Sequence, residues 1–254
     1  MIKKGETGRM NHPAGSFEAR PSAAARLKVL FIGNSHTYLH YMPQMVTLLA
    51  AGADPPIGID TCQVTGEGVD LRWHAENDAT TAQITAHPWD AVVLQERSGG
   101  PLADSGSMFS AARRLDRRIR ARGARTVFFM TWARRDRPDT QAAIADAYFQ
   151  ISRELGARIA PVGLAWQQAG IRLPGLPLYH RDGRHAGALG AYLTACVFTF
   201  LLTHAGPVPL PAEIVMDNRK KVSLPVSTAR RLQQIAFGQL TAAESRAAAP
   251  PQRP

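Results

Sequence analysis

Short apolar runs alternate with longer segments of helical period along most of this chain. Residues 29–32, 57–64, 91–94, 126–131 and 158–162 are runs of β-branched, aromatic and aliphatic side chains bounded by polar or turn residues. Runs of this length and composition read as buried strands. Between them lie helical patterns. Met45, Leu48 and Leu49 mark an apolar face within residues 41–51, and residues 71–86 form a second helical segment halted by His87-Pro88. Met108, Ala112, Leu115 and Ile119 recur at helical spacing within residues 107–122, which end at Gly123. Pro138 opens another helix, whose stripe is Ile144, Ala147, Ile151 and Leu155 before Gly156. A loop rich in Pro and Gly follows the fifth strand. Strands alternating with helices predict an α/β fold in which a parallel sheet is covered on both faces.

The flanks differ from this body. Residues 1–25 are rich in Gly, Pro, Ser, Ala and charge without any period, and read as a disordered lead-in. Residues 26–205 hold the alternating pattern, and residues 206–254 form a C-terminal extension with one helix over 227–246 and a frayed tail. The most apolar stretch, residues 186–205, is interrupted by Gly187, Gly190, Thr194, Thr199 and Thr203; it reads as a core helix rather than a membrane span.

Charge alters the picture only slightly. The formal net charge is +10, carried by 25 arginines against 5 lysines, with seven arginines between positions 113 and 125. Arg113, Arg114, Arg117 and Arg118 lie off the apolar stripe, and no aromatic residues interleave with them, so the segment reads as a solvated helix face and no nucleic-acid partner is expected. Two cysteines, Cys62 and Cys196, are too few for a disulfide framework. With no apolar core behind the Lys3-Lys4 start, no secretion signal is visible, and a cytoplasmic location is the expectation.

Candidate chemistry sits at both ends of the alternating region. The first strand runs into Gly33-Asn34-Ser35, which places a serine just beyond a strand's carboxyl end, where open α/β sheets bind ligands. Far downstream, Asp182 and His185 are three residues apart, a spacing at which a carboxylate can orient an imidazole that takes a proton from a serine. Gly-Asn-Ser near one end with Asp-x-x-His near the other resembles the SGNH hydrolases, the GDSL esterase/lipase superfamily. The branch resembled writes Gly-Asn-Ser-His and Leu-Gln-Glu-x-Ser, here at positions 33–36 and 94–98.

That resemblance implies a doubly wound, mostly parallel five-stranded sheet, a flavodoxin-like three-layer sandwich. It implies Ser35 as nucleophile, His185 as base and Asp182 as its orienter. For the oxyanion hole it implies the N–H of Ser35 and that of a glycine after the second strand. Gly66 and Gly68 both qualify, and Gly68 is preferred because Val69-Asp70-Leu71 then leads into a helix. The family's third donor is an Asn in a Gly-x-Asn-Asp block that this chain lacks; Gln95 carries the same amide group and is the natural substitute, with Ser98 as the alternative.

Other residues fit the cleft less specifically. His36, Ser98 and Trp132 are expected to contact substrate, Trp132 with a packing role as an equal reading. His36 and His40 have an i, i+4 spacing that could hold zinc, but no third ligand accompanies them, and neither a metal nor a cofactor is expected. The expected function is hydrolysis of small acyl esters, O-acetyl groups on carbohydrate among them. The alternatives are a catalytically weak acyl- or carbohydrate-binding module on the same fold, and an acyltransferase. The oligomeric state is not readable from the sequence.

Overall fold

The computed structural model describes residues 26–204, 206–207, 209–217 and 219–248. The lead-in expected over residues 1–25 and the frayed tail beyond residue 248 lie outside the described residues. Five strands, β1 (Leu27–Gly33), β2 (Ile59–Thr65), β3 (Ala91–Leu94), β4 (Arg125–Phe129) and β5 (Arg158–Ala160), form one sheet in the order β2-β1-β3-β4-β5. All four pairings are parallel. β2 and β3 flank β1 on opposite sides, so the winding reverses beside β1, and the loops leaving β1 and β3 diverge to open a crevice there.

Each central strand is buried on both faces, which is why it reads as an unbroken apolar run. Val29 and Phe31 of β1 face one layer while Leu30 and Ile32 face the other. The first layer contains α2 (Met42–Ala51), α8 (Val162–Arg172), α9 (Ala188–Thr203) and α10 (Val226–Ala248). The second contains α3 (Leu71–Glu76), α4 (Asp78–Ala86), α6 (Ser105–Arg120) and α7 (Gln141–Leu155). Two short helices, α1 (Ser35–Tyr38) and α5 (Gly100–Ala103), begin close after β1 and β3.

Several segments depart from the sequence pattern, for local reasons. The helix expected over 71–86 is two helices, because Asn77 ends α3 and its side chain accepts from the Thr80 N–H to start α4. The stretch after β5 expected as a Pro- and Gly-rich loop contains α8, in which Ala165, Trp166 and Ala169 form a buried helical face. The 206–254 region also holds a two-stranded antiparallel hairpin, β6 (Glu213–Val215) and β7 (Lys221–Ser223), too short to show a period. It shares the main core: Leu210, Ile214, Val222, Leu232 and Ile235 pack in the same cluster as α9.

The arginines of α6 tie it to its neighbours α3 and α7 within the second layer. Arg114 and Arg118 donate to the Ala75 carbonyl at 3.2 and 2.8 Å, and Arg113 pairs with Glu154 of α7. No described helix is long and apolar enough to cross a membrane. The apolar run containing α9 packs against the sheet, with Phe198 edge-on to Phe31 and Phe129 at 5.2 and 5.0 Å between ring centroids. Phe198→Ala would leave a void beside the fully buried rings of Phe31 and Phe129 and is expected to cost about 3–5 kcal/mol, measured as the shift in urea unfolding. A loss below about 1 kcal/mol would mean that this helix does not carry the core.

Candidate active site

The site is built where β1 stops. Gly33 ends the strand because nothing larger fits: a Cβ there would overlap the Gln95 and Thr37 side-chain oxygens. Asn34 then caps α1, its side chain accepting from the His36 N–H, and Ser35 is presented as the first residue of that helix. From the opposite wall, a tight turn over residues 180–185 delivers the acid and base. Gly183 adopts φ +67°, and the turn is closed by the His180 N–H on the His185 carbonyl and the Arg135 N–H on the Gly183 carbonyl. Asp182 folds back so that its Oδ1 accepts the N–H groups of Arg184 and His185 at 2.8 and 3.0 Å.

These elements bring Ser35, His185 and Asp182 into one chain of hydrogen bonds. Ser35 Oγ lies 2.9 Å from His185 Nε2, and His185 Nδ1 lies 2.6 Å from Asp182 Oδ2. A carboxylate only accepts, so Nδ1 carries the ring proton and Nε2 is left as the acceptor toward Ser35. Desolvation is the largest single influence on Asp182 and opposes ionisation. Hydrogen bonds from the His185 ring, the Arg184 and His185 N–H groups and His180 outweigh it and hold the carboxyl well below the usual range.

Of the two glycines expected near the oxyanion position, Gly66 donates its N–H to the Gly33 carbonyl at 3.2 Å. Gly68, at φ +63°, lines the cleft with Ser35, and neither its N–H nor that of Ser35 bonds to another described residue. Ser98 lines the same cleft, a cavity of about 670 Å³.

Gln95 is corrected by the structure. It is 0 % exposed and absent from the cleft. Its Oε1 accepts from the Asn34 N–H at 2.8 Å and the Thr37 hydroxyl at 2.9 Å, while its Nε2 donates to Asn34 Oδ1 at 3.0 Å and the Glu96 carbonyl at 2.6 Å. Both amide hydrogens are spent, so none is left for an oxyanion. The longer stem reaches across from β3 and supplies hydrogen bonds to the turn after β1. Glu96, also buried, accepts the Leu71 and Arg97 N–H groups, tying the start of α3 to the loop after β3.

His36 and Trp132, expected to touch substrate, are 7 % and 2 % exposed. Their rings meet at 4.7 Å with a 38° tilt, and Trp132 lies parallel to Trp166 at 3.9 Å while donating from Nε1 to the Arg184 carbonyl at 2.9 Å. Trp132 thereby braces the acid–base turn and is mainly a packing residue. His36 also faces His185 at 5.3 Å, and neither of its nitrogens reaches hydrogen-bonding geometry with another described side chain or backbone group. Burial, aided by the charges of His185 and Arg184, pushes His36 down to about 3, so it is neutral at ordinary pH. His40 Nε2 donates to the Ala186 carbonyl at 3.0 Å, and no group of three or more His, Cys, Asp or Glu able to hold a metal occurs among the described residues.

Sequence reasoning missed His74, whose Nε2 meets the Gly33 carbonyl at 2.9 Å, and Asn34, whose amide donates to the Val69 carbonyl at 2.8 Å. His74 thereby ties α3 to the end of β1, and Asn34 ties the Gly66–Val69 loop to the serine turn. A lone histidine on a short helix carries no sequence signal for such a role.

Two measurements check this framework. Gln95→Leu strands the Asn34 N–H and Oδ1 and the Thr37 hydroxyl in the interior, and is expected to lower stability by roughly 2–4 kcal/mol; an unchanged urea midpoint would show that the amide does not hold the turn. Burial pushes Glu96 up to about 7, against the two N–H donors from Leu71 and Arg97. An acid raised in the folded state binds its proton more tightly there, so its contribution to stability falls as pH rises from the unfolded value near 4.5 to about 7. Relative to Glu96→Gln, the wild type is therefore expected to lose up to about 3 kcal/mol across that window. A difference that stays flat or rises with pH would show that burial does not dominate at Glu96.

No protein-family model matches this sequence, and no curated protein matches it. Solved structures do. A protein of Slackia heliotrinireducens described as a candidate SGNH hydrolase shares 25% identity with a TM-score of 0.59, covering 70% of this chain and 100% of its own. A DUF4886 family protein from Bacteroides uniformis gives a TM-score of 0.67 at 20% identity, covering 85% and 95%. Axe2, an acetylxylan esterase from Geobacillus stearothermophilus, gives 0.54 at 15% identity over 70% and 94%. With its parallel sheet wound both ways from β1 and Ser35, Asp182 and His185 gathered at the crevice, this chain has the fold of the SGNH hydrolases.

Proposed function

We propose that this protein is a serine esterase acting on small acyl esters through a covalent acyl-enzyme. The observation that carries the reading is the continuous hydrogen-bonded chain from Ser35 Oγ through the His185 ring to Asp182, open to a cleft beside the unengaged N–H groups of Ser35 and Gly68. Ser35 Oγ attacks the ester carbonyl carbon as its proton passes to His185 Nε2. Asp182 holds the Nδ1–H, keeping the ring in register and stabilising the imidazolium; its firmly ionised state suits that part. The oxyanion develops toward the N–H groups of Ser35 and Gly68. With Gln95 turned inward, the Ser98 hydroxyl takes the place of third donor. His185 then protonates the leaving alcohol, and by the reverse sequence activates water to release the acid. His36 is a neutral wall of the cleft. Similarity in fold to an acetylxylan esterase supports acetyl esters of carbohydrates as one substrate class.

Ser35→Ala is expected to lower kcat on 4-nitrophenyl acetate by roughly 10⁴-fold or more with the urea midpoint unchanged. A fluorophosphonate probe is expected to label wild-type protein stoichiometrically at Ser35. Absent labelling together with undiminished turnover by Ser35→Ala would remove Ser35 as nucleophile, and absent labelling with no turnover at all would favour a binding module.

A further inference from the structure

The cleft holding Ser35 does not end at His185. A second cavity of about 740 Å³ adjoins it, and the two share Arg97, Ser98 and Arg184 as common wall. Four arginines, Arg97, Arg134, Arg137 and Arg184, and one acid, Asp136, are among the residues that line the second cavity, with Trp132 and Ile144 on its apolar wall. Asp136 is already held by Arg134 through two bonds of 2.9 Å, and Arg137 leans on Asp139 at 3.4 Å. Arg97 and Arg184 are exposed, and their side chains make neither an ion pair nor a hydrogen bond with any described residue. The carboxylate beside Arg97, that of Glu96, is buried with its oxygens turned to N–H donors. Asp182 is committed to His185.

Charge is therefore sorted across the site. On the β2 side lie Glu67 and the open N–H of Gly68; toward β4 lie the arginines, and Glu67 does not reach the second cavity. On the esterase reading, an ester whose carbonyl oxygen took the N–H groups of Ser35 and Gly68 would turn its leaving oxygen to His185. Arg184, its neighbour in the chain, lines both cavities, so the alcohol half would point toward the arginines. Resting on the esterase reading above, we infer that the preferred substrate is an ester of an anionic alcohol, whose carboxylate or phosphate is received by Arg97 and Arg184. A planar guanidinium offers paired donors to either group, and a cation without an internal partner gives up no existing bond to receive it.

The test compares 4-acetoxybenzoate with 4-acetoxybenzamide, of nearly equal size and differing in charge, each rate divided by the ester's own alkaline hydrolysis rate. The benzoate is expected to be favoured in kcat/KM by about tenfold or more at low salt, with the preference shrinking as salt screens the charges. In the double variant Arg97→Gln, Arg184→Gln the ratio of benzoate to benzamide is expected to fall toward unity, through KM of the benzoate. 4-Acetoxyphenyl phosphate beside the benzoate ranks phosphate against carboxylate as the anion; preference for either over the amide supports the inference. Equal normalised rates for all three esters, a preference that survives in the double variant, or selectivity for mono-4-nitrophenyl succinate over 4-nitrophenyl acetate without any for the benzoate would overturn it. Calorimetric titration with 4-hydroxybenzoate and 4-hydroxybenzamide separates the two readings. Tighter binding of the acid, lost in the double variant, supports the anion site even if no ester turns over and the esterase reading falls. Equal or weaker binding of the acid overturns it.

Discussion

The parallel sheet stops pairing at Gly33, and the turn that follows must present a serine while keeping its own polar groups satisfied in the interior. The Gln95 amide meets that constraint. By accepting from Asn34 and Thr37 and donating back to Asn34 and to the Glu96 carbonyl, it continues the β1–β3 pairing with a side chain where backbone pairing is no longer available. Glu96 and His74 extend the tie to α3, and Asn34 extends it to the loop that carries Gly68. Buried polar groups arranged this way are costly if half satisfied and specifying if complete, since each donor and acceptor admits one geometry. The turn after β1, the glycine loop after β2 and the loop after β3 are thereby set as one body.

The opposing wall is held by different physics. Trp132 lies flat on Trp166 and donates to the Arg184 carbonyl, while Tyr179 donates to the Ala133 carbonyl at 2.8 Å. Aromatic stacking with a polar handle fixes the Asp182–His185 turn on the β4 side without any helix to carry it. His36 lies between the two walls, neutral through burial and in contact with both the Trp132 and His185 rings. Being neutral, His36 adds no charge beside the His185 ring, while Arg97 and Arg184 lie exposed at the cleft.

How much of this was legible in the chain depends on whether the cause was local. The five strands lie within a few residues of the runs that announced them, most plainly for β1, β3 and β4, because a strand buried on both faces has few polar positions to blur its pattern. Helix α8 was hidden by Gly163 and Gly170, whose bare backbones signal a loop in a sequence. At Gly163 the packing itself requires the missing side chain: a Cβ there would meet the Thr131 carbonyl and the Gln141 amide. The hairpin of β6 and β7 has three residues per strand, fewer than any period needs.

At the site the same division holds. Residue types and order along the chain determined that a serine, an acid and a histidine were available at the ends of an alternating α/β pattern, since those features are local or depend only on sequence spacing. Tertiary structure alone decided which atoms meet. The 2.9 Å approach of Ser35 to His185 joins positions 150 residues apart, the Gly66 N–H is taken by a neighbouring strand end while that of Gly68 is left open, and the Gln95 amide turns inward. An amide donor in the sequence looks the same whether it faces a cleft or a core. Its direction follows from which unsatisfied groups the folded chain places around it, and here those of Asn34 and Thr37 lay inside.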